Sequence, residues 1–135
     1  MELLCELEMR DRAYGWKLRK AGRRYALTSN AARFQENLRR KAKEILGIQN
    51  LKKHIESLSL TDEFVIVVHT HFHYDENFNR NNGNQIPDTD HVGTLVMNTM
   101  KGIIYEDDIQ VCNLQLFRWR CEEGEESITI KIYRN

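Results

Sequence analysis

Alternation opens the chain. In residues 2–9 (ELLCELEM), Leu3, Cys5, Leu7 and Met9 interleave with Glu2, Leu4, Glu6 and Glu8, a period of two that predicts a strand with one wetter face. The pattern returns in residues 63–73 (EFVIVVHTHFH). There Phe64, Ile66, Val68, Thr70 and Phe72 share one face, and Val65, Val67, His69, His71 and His73 share the other. Its β-branched run suits a buried, pleated element. Between these strands the period becomes helical. Ala31, Phe34, Leu38, Ala42, Ile45 and Leu46 line one face of a helix predicted over 28–46. Thr28 or Ser29 can cap it, Arg39, Arg40, Lys41 and Lys43 complement its dipole near the end, and Gly47 can stop it. A shorter helix is predicted over 49–59 (QNLKKHIESLS).

The second half begins with a polar, Asn-rich loop over 74–86 that contains Gly83. After Pro87, Val92, Leu95, Val96, Thr99 and Met100 repeat at helical spacing, and Gly102 is a natural stop. Residues 103–105 are expected to be extended and Glu106–Asp108 to turn. Residues 109–120 and 127–134 read as two strands joined by an acidic hairpin turn, CEEGEE, around Gly124. Residues 10–26, broken by Gly15 and Gly22, read as a loop or a hairpin. The sum is one α+β domain over 1–135, a mixed sheet packed against helices, with no internal repeat.

Charge sharpens this picture. The net charge is zero, yet residues 1–53 hold 14 basic and 6 acidic side chains, a surplus of eight, and residues 54–135 hold the reverse. Such asymmetry fits a nucleic-acid surface on one side and an acidic site on the other, or simply an uneven solvated surface. The basic residues crowd into the predicted hairpin. Lys17, Arg19, Lys20, Arg23 and Arg24, with Arg12 before them, stand among Tyr14, Trp16 and Tyr25. Positive charge there would hold phosphates, and rings could stack on bases. Three scattered cysteines without a CxxC pair argue for reduced thiols over a disulfide framework or a zinc knuckle. No apolar run approaches the roughly 20 residues of a bilayer span. No secretory pattern opens the chain, so a cytoplasmic protein is expected.

Two acidic groups carry candidate chemistry. Asp88 and Asp90 lie between a loop and a helix, and Asp107 and Asp108 lie in a turn between a helix and a strand. Carboxylates at element ends can converge, and their mutual repulsion is relieved by a hard divalent cation such as Mg²⁺, which can activate water against a phosphodiester. The plain alternative is that Asp88 caps a helix and Asp-Asp closes a turn.

The segment PDTDHVGTLVMNTMKGIIYEDDIQV resembles the core motif of the RusA-like Holliday junction resolvases, approximately P-D-x-D-N-L-x-K followed by D-x-L-x-G-V-[VIL]-x-x-D-D-x-Q-[VI]. Pro87, Asp88 and Asp90 match its start, Gly102, Ile103 and Ile104 its middle, and Tyr105, Asp107, Asp108, Gln110 and Val111 its end, without a gap. AGRRYALTSNAARFQENLRRKA is similar, more loosely, to the family's basic turn and helix. The resemblance implies a homodimer, often phage- or prophage-borne, acting in DNA recombination and repair by paired nicks in four-way junctions with Mg²⁺ or Mn²⁺. It implies catalytic, metal-binding roles for Asp88, Asp90 and Asp108 in a DNA-facing acidic cluster, with Asp107 accessory. DNA contacts are then expected from Lys17, Arg19, Lys20, Arg23, Arg24 and Arg80.

Three positions depart from the pattern. The family lysine is Thr94 here, the asparagine after D-x-D is His91, and the mid-helix aspartate is Asn98. Lys101 follows Thr94 on the same helix face, but about 10 Å further along. The sequence therefore also allows a junction-binding protein that cleaves weakly or not at all. A metal site on His69, His71 and His73 is a rival, disfavoured because alternate strand residues stand roughly 6–7 Å apart.

Overall fold

The computed structural model describes residues 1–74 and 87–135, without the side chains of Ile48 and Gln49. Arg80, and the loop predicted over 74–86 from residue 75 onward, lie outside the described residues. In chain order the elements are β1 (Glu2–Met9), β2 (Leu18–Ala21), β3 (Arg24–Leu27), α1 (Ser29–Leu46), α2 (Ile48–Ser57), β4 (Phe64–Phe72), α3 (Thr89–Met100), β5 (Val111–Arg120) and β6 (Ser127–Arg134), with a 3₁₀ turn at Asp108–Gln110.

β4 sits inside a four-stranded sheet of order β1-β6-β4-β5, and β2 and β3 form a separate ribbon. Phe64, Ile66, Val68, Thr70 and Phe72 are buried on the face that α3 covers, and Val65 is buried on the other. A strand this apolar needs a neighbour on each side, and that need overturns the expected hairpin of residues 109–134. β5 and β6 do not pair with each other. β4 lies between them, parallel to β5 and antiparallel to β6.

Three smaller expectations also change. A bulge between Leu3 and Cys5 shifts the β1–β6 register, leaving Leu3 exposed while Leu4 packs on the core. Ile45 is exposed, because the buried stripe of α1 is Ala31, Phe34, Leu38, Ala42 and Leu46. Residues 103–105 form a tight turn closed by Gly102 N–H donating to Tyr105 O (2.7 Å), with Gly102 at φ +83°. The predicted basic hairpin is present as the β2–β3 ribbon, and the cysteines are free thiols, Cys5 buried.

β4, α3 and β5 make a βαβ unit. α3 carries the chain back, so that Ile66, Val68 and Thr70 pair with Leu114, Leu116 and Arg118 in a parallel ladder. The N-terminus of α3 therefore lies at the carboxyl ends of β4 and β5, the end where open α/β units place their ligands. Gly93 permits the close approach of helix to strand. A Cβ there would stand 2.7 Å from Leu116 Cδ1 and 3.3 Å from Leu114 Cδ2.

Candidate functional site

Asp88 enters α3 with extended backbone (φ −60°, ψ 143°), and its carbonyl accepts from the N–H groups of His91 (3.1 Å) and Val92 (3.2 Å). Its side chain makes no capping hydrogen bond, so the carboxylate is not used by the backbone. Asp90 follows in the first turn. His91 faces both acids, with Nδ1 4.0 Å from Asp88 Oδ2 and Nε2 4.0 Å from Asp90 Oδ2. One ligand atom from each of the three lies within 4.8 Å of the others, and all three residues are exposed. Two carboxylates this close repel, and a hard cation satisfies both at once.

The root of the basic hairpin is packed against this group. A Cβ on Gly15 would meet His91 Cβ at 2.8 Å and Pro87 Cβ at 3.1 Å, so glycine is needed for the contact. Trp16 N–H donates to His91 O (2.8 Å), and Thr28 N–H closes the hairpin base on Lys17 O (2.9 Å). From this anchor the β2–β3 ribbon carries Lys17, Arg19, Lys20, Arg23 and Arg24 into solvent, all exposed. Lys20 pairs with Tyr25, and Arg19 and Arg24 lie opposite Ala26 and Ala21.

Asp107 and Asp108 stand at the other end of α3. Asp107 has a structural role: its Oδ1 accepts from Ile109 N–H (3.1 Å), and Gln110 Oε1 returns to Asp107 N–H (3.1 Å) and Glu106 N–H (2.8 Å). Gln110 Nε2 donates to Ser59 O (2.9 Å), binding this turn to the segment before β4. The Tyr105 hydroxyl donates to Met97 O (2.5 Å). Burial first, and the Asp108 carboxylate second, push its pKa well above the usual phenol range. Asp108 is half-buried, and its Oδ1 has no hydrogen-bond partner among the described residues. It is not part of the Asp88–Asp90–His91 group. α3 rises about 10 Å between Asp90 and Met97, and Asp108 acts on Tyr105, whose hydroxyl is bound at Met97.

His69 and His71 of β4, and His73 just past its end, are each engaged locally. Trp119 Nε1 donates to His69 Nδ1 (2.9 Å), and the His69 ring stacks on Phe117 at 4.6 Å. His71 Nδ1 meets Ser127 Oγ at 3.4 Å, and His73 Nδ1 meets Cys121 O at 3.1 Å. Sequence reasoning missed Gly15, Trp16 and the facing position of His91 as parts of the site. The D-x-D-H run was a signal for His91, but nothing local in the sequence joins residues 15–16 to 87–91.

Compared with known proteins, residues 15–133 match the family model described as Endodeoxyribonuclease RusA. Among curated proteins, none matches the chain.

Proposed function

The chain belongs to the RusA endodeoxyribonuclease family, and from that premise we propose that it is a Mg²⁺-dependent, structure-selective endonuclease that nicks four-way DNA junctions. The observation that carries this reading is the meeting of free carboxylates with the root of an exposed basic ribbon, at the carboxyl ends of β4 and β5. Asp88 and Asp90 offer the hard oxygens that Mg²⁺ takes, and Mn²⁺ is the alternative ion that also accepts an imidazole nitrogen such as His91 offers. When bound, the ion supplies positive charge at the phosphoryl oxygens and acidifies water.

The chain's own residues do the rest. Asp88 and Asp90 fix the place of attack at the helix start. Lys17, Arg19, Lys20, Arg23 and Arg24 hold backbone phosphates, with Arg80 as a further contact expected from the sequence. A two-stranded ribbon is narrow enough for a DNA groove, and phosphate neutralisation makes binding fall steeply with salt. Asp107 shapes the turn that presents Asp108. Asp108 completes a site through a second copy of the chain, since a two-fold dimer matches a two-fold junction and can bring the far end of one α3 to the near end of another.

A labelled four-way junction with Mg²⁺, and separately with Mn²⁺, tests the assignment. Wild type is expected to nick it, and Asp90→Asn and Asp108→Asn to lose nicking. Mixing the two variants is expected to restore it, because each heterodimer then contains one intact composite site. Nicking that survives both substitutions removes the acid assignment, and failure of the mixture to recover removes the shared site.

A second reading, a junction-binding protein with little cleavage, is favoured by one feature. Thr94 Oγ1 donates to Asp90 O (3.1 Å) and Asn98 Nδ2 to Thr94 O (2.9 Å), so the line Asp90–Thr94–Asn98 of α3 carries no cation. It predicts tight junction binding without nicking in either metal.

A further inference from the structure

On the sheet face covered by α3, alternate residues of β5 are Leu114, Leu116, Arg118 and Arg120, opposite Ile66, Val68, Thr70 and Phe72 of β4. Leu114 and Leu116 meet α3 at Gly93. α3 runs antiparallel to β5, so moving toward the end of β5 means moving toward the start of α3. One further strand repeat takes Leu116 to Arg118, about 6.6 Å. Three to four helix residues, about 5 Å, take Gly93 to Asp90 and Thr89. Arg118 is thus level with the first turn of α3, on the side that faces it.

Arg118 is also free. It is exposed and has no ion pair among the described residues. Its neighbour on the same face, Arg120, is already engaged, with its guanidinium 4.7 Å from the centre of the Tyr74 ring. The backbone of Arg118 is set in the sheet by its pairing with buried Thr70.

We propose that Arg118 is the phosphate-binding cation of the site at the start of α3, an inference that rests on the nuclease reading given above. A phosphodiester brought to Asp88 and Asp90 adds negative charge to two carboxylates, and in-line attack gathers more on its nonbridging oxygens. On α3 itself, His91 already faces the two acids, Thr94 and Asn98 donate to the helix's own backbone, and no Lys or Arg stands in the helix. A guanidinium presents paired N–H donors in a planar fork that matches two phosphate oxygens, keeps its charge at any working pH, and needs no proton transfer to act. β5 thereby supplies from the sheet the charge that α3 lacks.

The test compares Arg118→Ala and Arg118→Lys with wild type on a four-way junction. Binding is titrated over a salt series in EDTA, nicking is followed with Mg²⁺, and thermal melting checks the fold. Arg118→Ala is expected to reduce the slope of log K against log salt by about 0.9, the loss of one phosphate contact. Its nicking is expected to fall about 100-fold, as when one preorganised donor is removed from a reacting oxyanion. Arg118→Lys is expected to keep the slope and recover part of the nicking. A wild-type slope and wild-type nicking in Arg118→Ala overturn the proposal and leave the nuclease reading standing. A slope as low in Arg118→Lys as in Arg118→Ala overturns it too, by showing that charge is not what matters. A wild-type chain with no affinity for the junction overturns both. If wild type binds without nicking, the slope alone decides on Arg118.

Discussion

The two ends of α3 carry the same residue type to different fates. At the N-terminal end, Asp88 and Asp90 are exposed, Asp88 makes no capping bond, and the nearest charged partner of both carboxylates is His91, 4.0 Å from each. At the C-terminal end, Asp107 is bound to Ile109 N–H, Gln110 serves Glu106, Asp107 and Ser59, and Tyr105 is buried with its hydroxyl on Met97. Polar groups already paired with backbone hold a fold together, whereas unpaired ones are available to a ligand. Asp108 stands between the two cases: it lies within the structural end, yet one of its oxygens is buried without a partner among the described residues. That makes it the position where the comparison is most open to experiment.

Asp88→Asn should have the largest effect and should show it only in activity. Junction nicking is expected to fall by about 100-fold or more, with an unchanged thermal midpoint, since the side chain makes no capping bond. A substantial loss of stability would mean that the N-terminal end is structural after all. Gln110→Ala should do the reverse. It strips three part-buried backbone groups of their partners and is expected to cost about 1–2 kcal/mol, read by urea denaturation, while junction affinity measured on the folded fraction stays near wild type. Tyr105→Phe removes one buried hydroxyl and its bond to Met97 O, for an expected loss of about 1 kcal/mol by the same measurement.

The smallest effect concerns Asp62, which ties the structural end to β6. Its carboxylate accepts from Ser59 N–H (2.9 Å) and Arg134 (2.8 Å), and these bonds, the backbone one first, hold its pKa below the usual range. A depressed folded pKa stabilises the protein fully above the unfolded value of about 3.9 and ceases to do so as pH falls through the folded value. Asp62→Asn should therefore be slightly less stable than wild type at pH 7, with the gap closing in acid. A gap that widens in acid would contradict the direction of that shift.

Much of this molecule was legible in the sequence wherever a signal is local. The alternation of residues 63–73 marks β4 because side chains alternate across a strand, and the spacing of Ala31, Phe34, Leu38 and Ala42 marks α1 because the helix period brings them to one face. The order of Pro87, Asp88, Asp90, Gly102, Asp108 and Gln110 carried the family resemblance that the match over residues 15–133 bears out. The sequence misled where the answer depended on distant partners. Strands over 109–120 and 127–134 separated by a glycine turn look like a hairpin, but which strands pair is settled by what else needs covering, and β4 lies between them.

The sequence alone determined where the longest strands and helices lie, among them β4 and α1, and which acids deserve attention, because each depends on residues within a few positions of each other. Only the tertiary structure decided that Asp107 is bound up in its own turn while Asp88 is free, that Gly15 and Trp16 anchor the basic ribbon on His91, and that Arg118 runs level with the first turn of α3. The reason is physical. Periodicity records the face a side chain takes on its own element, but a site is made of faces brought together by packing, and packing depends on the whole chain at once.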